Sequence, residues 1–235
     1  AFQSIDTLKG GILGGTIVSG ILNKGDVIQI SPGICNLDDK RNWIVTPIYA
    51  KVESIFSEKN SLDFAVPGGL IGIGTTIDPS FCKSNNLVGQ IISRPNQNLN
   101  IAYELDLDCK IFKRISKDNR IIRNGDILKL GILSKNIQGS VTQAKKHKIT
   151  VKLGIPCCIN EQTISIMKKI DGQYKLFGIA NIIKSKNIDI ERKYDIEHQP
   201  SYKIVNDLSN NNRIECFDYD SMLNSLNHKY NEKIS

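Results

Sequence analysis

The first stretch whose residue types could do chemistry is Asn23-Lys24-Gly25-Asp26. Asn-Lys-x-Asp is how GTP-binding proteins read guanine: the Asp carboxylate accepts hydrogen bonds from the base, and the Asn and Lys brace the loop. Such a site serves phosphate chemistry and needs a partner motif, G-x-x-x-x-G-K-[ST], whose backbone amides cradle phosphate and whose Lys neutralises it. Only 22 residues precede Asn23, whereas that loop normally stands on the order of a hundred residues upstream. The nearest imitation, Gly10-Gly11-Ile12-Leu13-Gly14-Gly15-Thr16, has no Lys between Gly15 and Thr16 and leads into a strand pattern instead of a helix. A hairpin reading explains the stretch better: Ile21 and Leu22 close one strand, Lys24-Gly25 turn, and Ile28 and Ile30 alternate inward on the next. Gly25 supplies the positive φ that the turn needs.

Other chemical constellations are sparse. Six cysteines, at 35, 82, 109, 157, 158 and 216, include no C-x-x-C and no His at zinc-ligand spacing. They read as free thiols of a reducing, cytoplasmic compartment, with adjacent Cys157 and Cys158 on opposite faces of a strand. His147, His198 and His228 have no Ser, Cys or carboxylate at a catalytic spacing. Asp106 and Asp108 share a strand face as a solvated pair. No catalytic residue and no metal site is expected.

The elements that hold these residues have period two almost everywhere before residue 184. In 102–112, Tyr103, Leu105, Leu107, Cys109 and Ile111 face one way, and Glu104, Asp106, Asp108 and Lys110 the other. Further strands are expected over 15–22, 26–31, 47–58, 70–77, 87–93, 126–133, 139–146, 148–153, 163–170 and 174–183. Many short strands punctuated by Gly, Asn, Asp and Pro predict an all-β fold of two consecutive barrels. They span 1–95 and 96–184, joined by the polar stretch 93–100. Residues 185–235, with "NNN" at 210–212, read as a poorly structured tail; 219–230 could form a short helix carrying Met222, Leu223 and Leu226. The stretch 31–47 reads as a long connection of the kind that often carries function. No run is long and apolar enough for a membrane helix, and no signal peptide opens the chain, which lacks an initiating Met as a fragment or processed chain would.

Charge is uneven. The 235 residues carry net +7. Residues 97–184 hold 16 Lys/Arg against 7 Asp/Glu, while 1–96 hold 8 of each. A basic second domain fits a polyanion such as RNA. Lys145, Lys146, Lys148 and Lys152, with Lys168 and Lys169, are its candidate contacts; a solvated lysine face is the alternative for any one of them.

The run "DTLKGGILGGTIVSGILNKGDVIQISPGI" resembles the start of the second domain of the gamma subunit of translation initiation factor two, a relative of elongation factor Tu. "AVPGGLIGIGTTIDP", 65–79, is close to a signature of that family, and "VTQAKKHKITVKLGIPCCINEQTISIMKKIDGQYKLFGIANI" is similar to its third domain. The resemblance covers residues 4–184 and departs from the family at Lys83 and Asn85, and at Gly131-Ile132-Leu133-Ser134. It implies two β-barrels that follow a GTP-binding domain, which these residues do not include. GTP and magnesium are then expected of the intact factor, with no cofactor in this chain, which is read as a binding module and not an enzyme. Implied partners are the alpha and beta subunits, initiator methionyl-tRNA and the small ribosomal subunit, with no membrane. A selenocysteine-specific elongation factor, or a stand-alone interaction protein lacking the GTPase domain, is the alternative. By resemblance, Gly14, Gly15 and Thr16 form one lip for the acceptor end of tRNA, and Ala65, Val66, Pro67, Gly68 and Gly69 the other. The same residues could simply shape tight turns. Pro32, Ile34, Arg41 and Trp43 are candidates for the alpha-subunit face; Trp43 could equally cap the barrel edge.

Overall fold

The computed structural model describes residues 10–112 and 121–190. Its first half is a strongly bent antiparallel sheet. Strands β1 (Gly11–Gly15), β3 (Val27–Leu37), β4 (Trp43–Ser57), β7 (Ile71–Thr75) and β8 (Ile91–Ser93) lie in the order β1-β7-β4-β3-β8. β5 (Asn60–Leu62) pairs with β4, and β2 (Leu22–Asn23) pairs with β6 (Phe64–Ala65) apart from the main ladder. The sheet bends round a core of Leu13, Ile28, Ile30, Val52, Ile55 and Ile73, and a 3-10 helix, Pro79–Asn85, packs beside β1. The second half is a closed barrel. Its strands are β9 (Ile101–Ile111), β10 (Ile127–Ile132), β11 (Lys135–Lys145), β12 (Lys148–Cys158), β13 (Thr163–Ile170) and β14 (Gln173–Asn187), in the order β10-β11-β12-β9-β14-β13. Closure removes open sheet edges, and the inward positions Leu105, Leu107, Leu128, Leu130, Val151, Ile166 and Phe177 are wholly buried.

The expected alternation holds from Leu105 on, with Leu105, Leu107 and Cys109 pointing into the barrel, but a register shift before Glu104 puts Ala102 in the core instead of Tyr103. Cys157 and Cys158 do face opposite ways, Cys157 into the barrel core and Cys158 into a cluster with Val45 and Ile101 at the junction with the first sheet. Burial pushes the thiols of Cys157 and Cys158 up to about 12, which keeps them protonated.

Four further expectations need correction. Residues 16–21 are not strand, because β7 begins opposite Gly15 and the chain before it turns away to pair with Leu22 and Asn23. For the same reason β2 and β3 are not a hairpin pair; β3 pairs with β4 and β8. The stretch 31–47 is not a long loop either. β3 and β4 continue past a register shift between Ile30 and Ile34, where the Ser31–Pro32 peptide is cis and Gly33 has φ 79°, and form an arm closed by a short turn. In that turn Asp38 accepts from the Asn42 amide at 2.6 Å, which holds its carboxyl below the ordinary value. Finally, β14 runs past Lys184 to Asn187, and Ile188 and Ile190 pack at the junction. The rest of the expected tail, with the helix at 219–230, lies outside the described residues.

The connection after β8 is docked, not free. Gln29, fully buried, accepts from the Asn96 amide at 2.8 Å and donates to the Gln97 carbonyl at 3.3 Å. A buried carboxamide needs such partners, so one glutamine pins the segment that leads into the second barrel.

Candidate functional site

The turn at Asn23–Asp26 is built by hydrogen bonds that use up its chemistry. Asp26 Oδ2 accepts from the Asn23 amide at 2.8 Å and from Asn23 Nδ2 at 3.3 Å. Gly25 has φ 96°, and its amide donates to the Val52 carbonyl at 2.8 Å. The neighbouring cleft, about 610 Å³, is lined by Lys24, Lys51, Glu53 and Asp63 with Val52 and Gly25, and offers no flat apolar shelf for a base. Gly11–Gly15 is strand, not a phosphate loop ahead of a helix. These residues do not fit a guanine nucleotide.

The two glycine-rich stretches meet. The β1–β7 register sets Gly14 opposite Gly72 and Gly15 opposite Ile71, so residues 66–70 arrive beside the end of β1. Gly14, Gly15, Thr16, Val66, Pro67, Gly68 and Gly69 are all exposed. A Cβ built at Gly15, Gly68 or Gly69 would meet nothing within 4 Å. Packing therefore does not demand glycine at Gly15 or Gly69, whereas Gly68 has φ 154°. Aliphatic side chains border this rim: Val18 is 82% exposed, Leu70 58% and Val66 39%. Sequence reasoning missed Val18 and Leu70, since both fell in stretches assigned to strand. Ala65 is not part of the rim; it pairs with Leu22 and is buried in the core.

On the β3–β4 arm, Leu37 stands opposite Trp43, and Arg41 sits at the tip with φ 63°. Ile34 and Leu37 are exposed and Trp43 is half-buried, but Pro32 is buried and offers no surface. Cys35 and Val45, on one face of the arm, pack against Ile101 and Cys158 of the second barrel. Leu37 and Trp43, two residues nearer the tip, share that face beyond the contact, whereas Ile34 stands on the other face.

The basic cluster divides. Lys145 and Lys146 lie at the β11–β12 turn, exposed, at the end of the barrel opposite Ile101 and Cys158. The β13–β14 turn, with Lys169 next to it, reaches the same end. Lys148 and Lys152 instead stand opposite Asp108 and Glu104 on β9, whose other side carries Lys184 and Lys186. Lys186 pairs with Glu104, His147 with Asp108 at 3.6 Å, and Thr150 donates to Asp106 at 2.7 Å. Asp106 and Asp108 are therefore the middle of a charge ladder, not a free pair. Lys168 is engaged internally: its Nζ donates to Asp126 Oδ2 and to the Ile121 carbonyl, both at 2.7 Å, with the Phe177 ring 5.8 Å away. Burial raises Asp126, but the bonds from Lys168 and the Arg123 amide outweigh it and hold the carboxyl below its ordinary value. Among the described residues no group of His, Cys, Asp and Glu could hold a metal ion, and no helix is long and apolar enough to cross a membrane.

The fold is a translation-factor type of β-barrel pair. The bacterial selenocysteine-specific elongation factor EF-Sec has the same fold over 86% of this chain and 29% of its own, with a TM-score of 0.56. At 16% identity that likeness concerns the fold alone. Residues 99–182 match the family model described as initiation factor eIF2 gamma, C terminal. The chain is 32% identical over 197 residues to the eukaryotic translation initiation factor 2 subunit gamma of Schizosaccharomyces pombe, and 33% over 192 residues to subunit 3 of the Drosophila melanogaster factor. These matches take in 79% and 77% of this chain, and 44% and 40% of the relatives, so it spans less than half their length. The chain belongs to the eIF2 gamma family, as its barrel region.

Proposed function

We propose that this barrel region receives the acceptor end of initiator methionyl-tRNA at the rim formed by Gly14, Gly15, Thr16 and residues 66–69, within a factor that with GTP delivers that tRNA to the small ribosomal subunit. The supporting observation is the rim itself. Two glycine-rich segments far apart in sequence converge with open space above them and exposed Val18, Val66 and Leu70 alongside. A terminal adenosine with its amino acid needs close backbone approach and an apolar shelf, and the rim has both. Nucleotide chemistry, with GTP and magnesium, belongs in this reading to a family domain outside these residues.

Two further contacts complete the proposal. The pole of the second barrel carrying Lys145, Lys146 and Lys169 faces RNA phosphate. The tip of the β3–β4 arm, with Leu37, Arg41 and Trp43, receives the alpha subunit of a complex that also holds a beta subunit; both relatives are themselves named as subunits. The test of the acceptor-end reading is amide chemical shift mapping with methionyl-tRNA. Shifts gathered at Gly14, Gly15 and Gly69 support it, and a map with none there overturns it.

A further inference from the structure

A groove of about 570 Å³ runs between the two barrels, lined on one side by Ile34, Phe81 and Val88 and on the other by Lys135 and Ile155. Ile34, Phe81 and Val88 are 38%, 39% and 40% exposed, more than side chains of a finished interface leave to water. Its rim is braced. The Gln90 carboxamide accepts from the Gly33 amide at 2.7 Å and donates to the Gly33 carbonyl at 3.2 Å, tying the arm to the segment before β8.

Lys135 is the one cation in the lining, and no carboxylate lines it. Its aliphatic stem lies across Gly89, where an added Cβ would meet Lys135 Cβ at 2.6 Å. The residue is half-buried, and among the described residues no salt bridge engages it. Its charge is felt by the thiols of Cys35 and Cys157, which are neutral groups. With its stem packed on Gly89 and no carboxylate in the lining, its ammonium is left for a counter-charge that a ligand brings. Lys129, by contrast, lies over the Tyr174 ring at 4.1 Å, and Lys168 holds Asp126.

We propose that this groove docks an extended peptide segment of a partner protein in which an apolar side chain neighbours a carboxylate. The apolar group sits on Ile34, Phe81 and Val88, and the carboxylate meets Lys135. The charge complement is specific: a single cation above an apolar floor suits one acid beside one hydrophobe, whereas a nucleic acid strand needs several cations in a row. Because the lining comes from both barrels, occupation also clamps them. This site is separate from the glycine rim and does not depend on that assignment.

The test titrates fluorescein-labelled acetyl-Asp-Leu-Phe-Glu-Leu-Asp-amide with the full chain and follows anisotropy at low and high salt. Saturable binding is expected, weakened by salt, about tenfold by Lys135→Glu and about fivefold by Val88→Ser. Circular dichroism melts check that each variant folds, and Phe81→Ser replaces Val88→Ser should that one fail. Absence of saturable binding, or equal affinity in Lys135→Glu, overturns the proposal. So does displacement of the peptide by oligouridylate or octanoate at lower concentration than unlabelled peptide.

Discussion

Asp126 stands in the second barrel where Asp26 stands in the first. Asp26 Oδ2 accepts from the amide of Asn23 and Asp126 Oδ2 from the amide of Arg123, each three residues back, at 2.8 and 2.9 Å. In both turns the preceding glycine has positive φ, 96° at Gly25 and 87° at Gly125. Each glycine amide donates at 2.8 Å to the carbonyl of a strand residue, Val52 or Val141, whose own amide returns to the Asp carbonyl. Gly-Asp closing a turn onto a neighbouring strand is thus a device used twice, and the guanine spelling at residues 23–26 is one instance of it.

Asp26→Ala therefore acts on stability and not on nucleotide. The loss is about 1 kcal/mol in urea unfolding, with the fluorescence of a methylanthraniloyl guanine nucleotide unchanged by the chain or its variant. Asp126→Ala costs more, about 2 kcal/mol, because it also strands Lys168. A nucleotide signal that depends on Asp26 would contradict the turn assignment.

Lys168→Met removes the ammonium that depresses Asp126, and its effect varies with pH. The folded carboxyl titrates below the unfolded one, which lies near 4. The pair's contribution is fully present above that unfolded value and is lost as pH falls through the depressed folded value. Urea midpoints of parent and variant should differ at neutral pH, by about 1–2 kcal/mol, and converge in strong acid. A gap that stays constant as pH falls would count against the pair.

Replacing Lys145 and Lys146 with Glu should weaken RNA binding and lower the slope of log affinity against log salt by roughly 1.5. Lys148→Ala and Lys152→Ala, opposite Asp108 and Glu104, should change it little. Filter binding with tRNA across a salt series separates the two groups, and equal effects would mean that the β9 carboxylates do not keep RNA from these lysines.

How much of this was legible beforehand follows from what sets each feature. Period two is a local property, so Leu105, Leu107 and Cys109 of β9 and the split of Cys157 from Cys158 could be read directly, whereas the shift that turns Ala102 inward in place of Tyr103 depends on pairing. Pairing partners are not local. Nothing in 15–22 says that β7 begins only at Ile71, and a bulge at Pro32-Gly33 disguised two long strands as a loop. The glycine rim was visible as two glycine-rich runs, but the exposure of Val18 and Leu70 depends on where those strands end. Lysines look alike in sequence; only register shows that Lys168 turns to Asp126 while Lys145 does not.

The tip of the arm carries the alpha-subunit assignment. Trp43→Ala should leave the fold intact, since its cross-strand partner Leu37 is itself 52% exposed, and should reduce capture of the alpha subunit about tenfold or more. A pull-down with parent and variant reads this directly. No capture by the parent sinks the partner assignment, and equal capture by both removes Trp43 from it.

The most direct test of the central claim is amide mapping of the chain with methionyl-tRNA, parent against Gly15→Val. The added side chain has room, so the melt should not move, yet it fills the space above the rim. Shifts are expected at Gly14, Gly15 and Gly69 in the parent, with their loss in the variant. Identical maps for both proteins, or shifts confined to other surfaces, would contradict it.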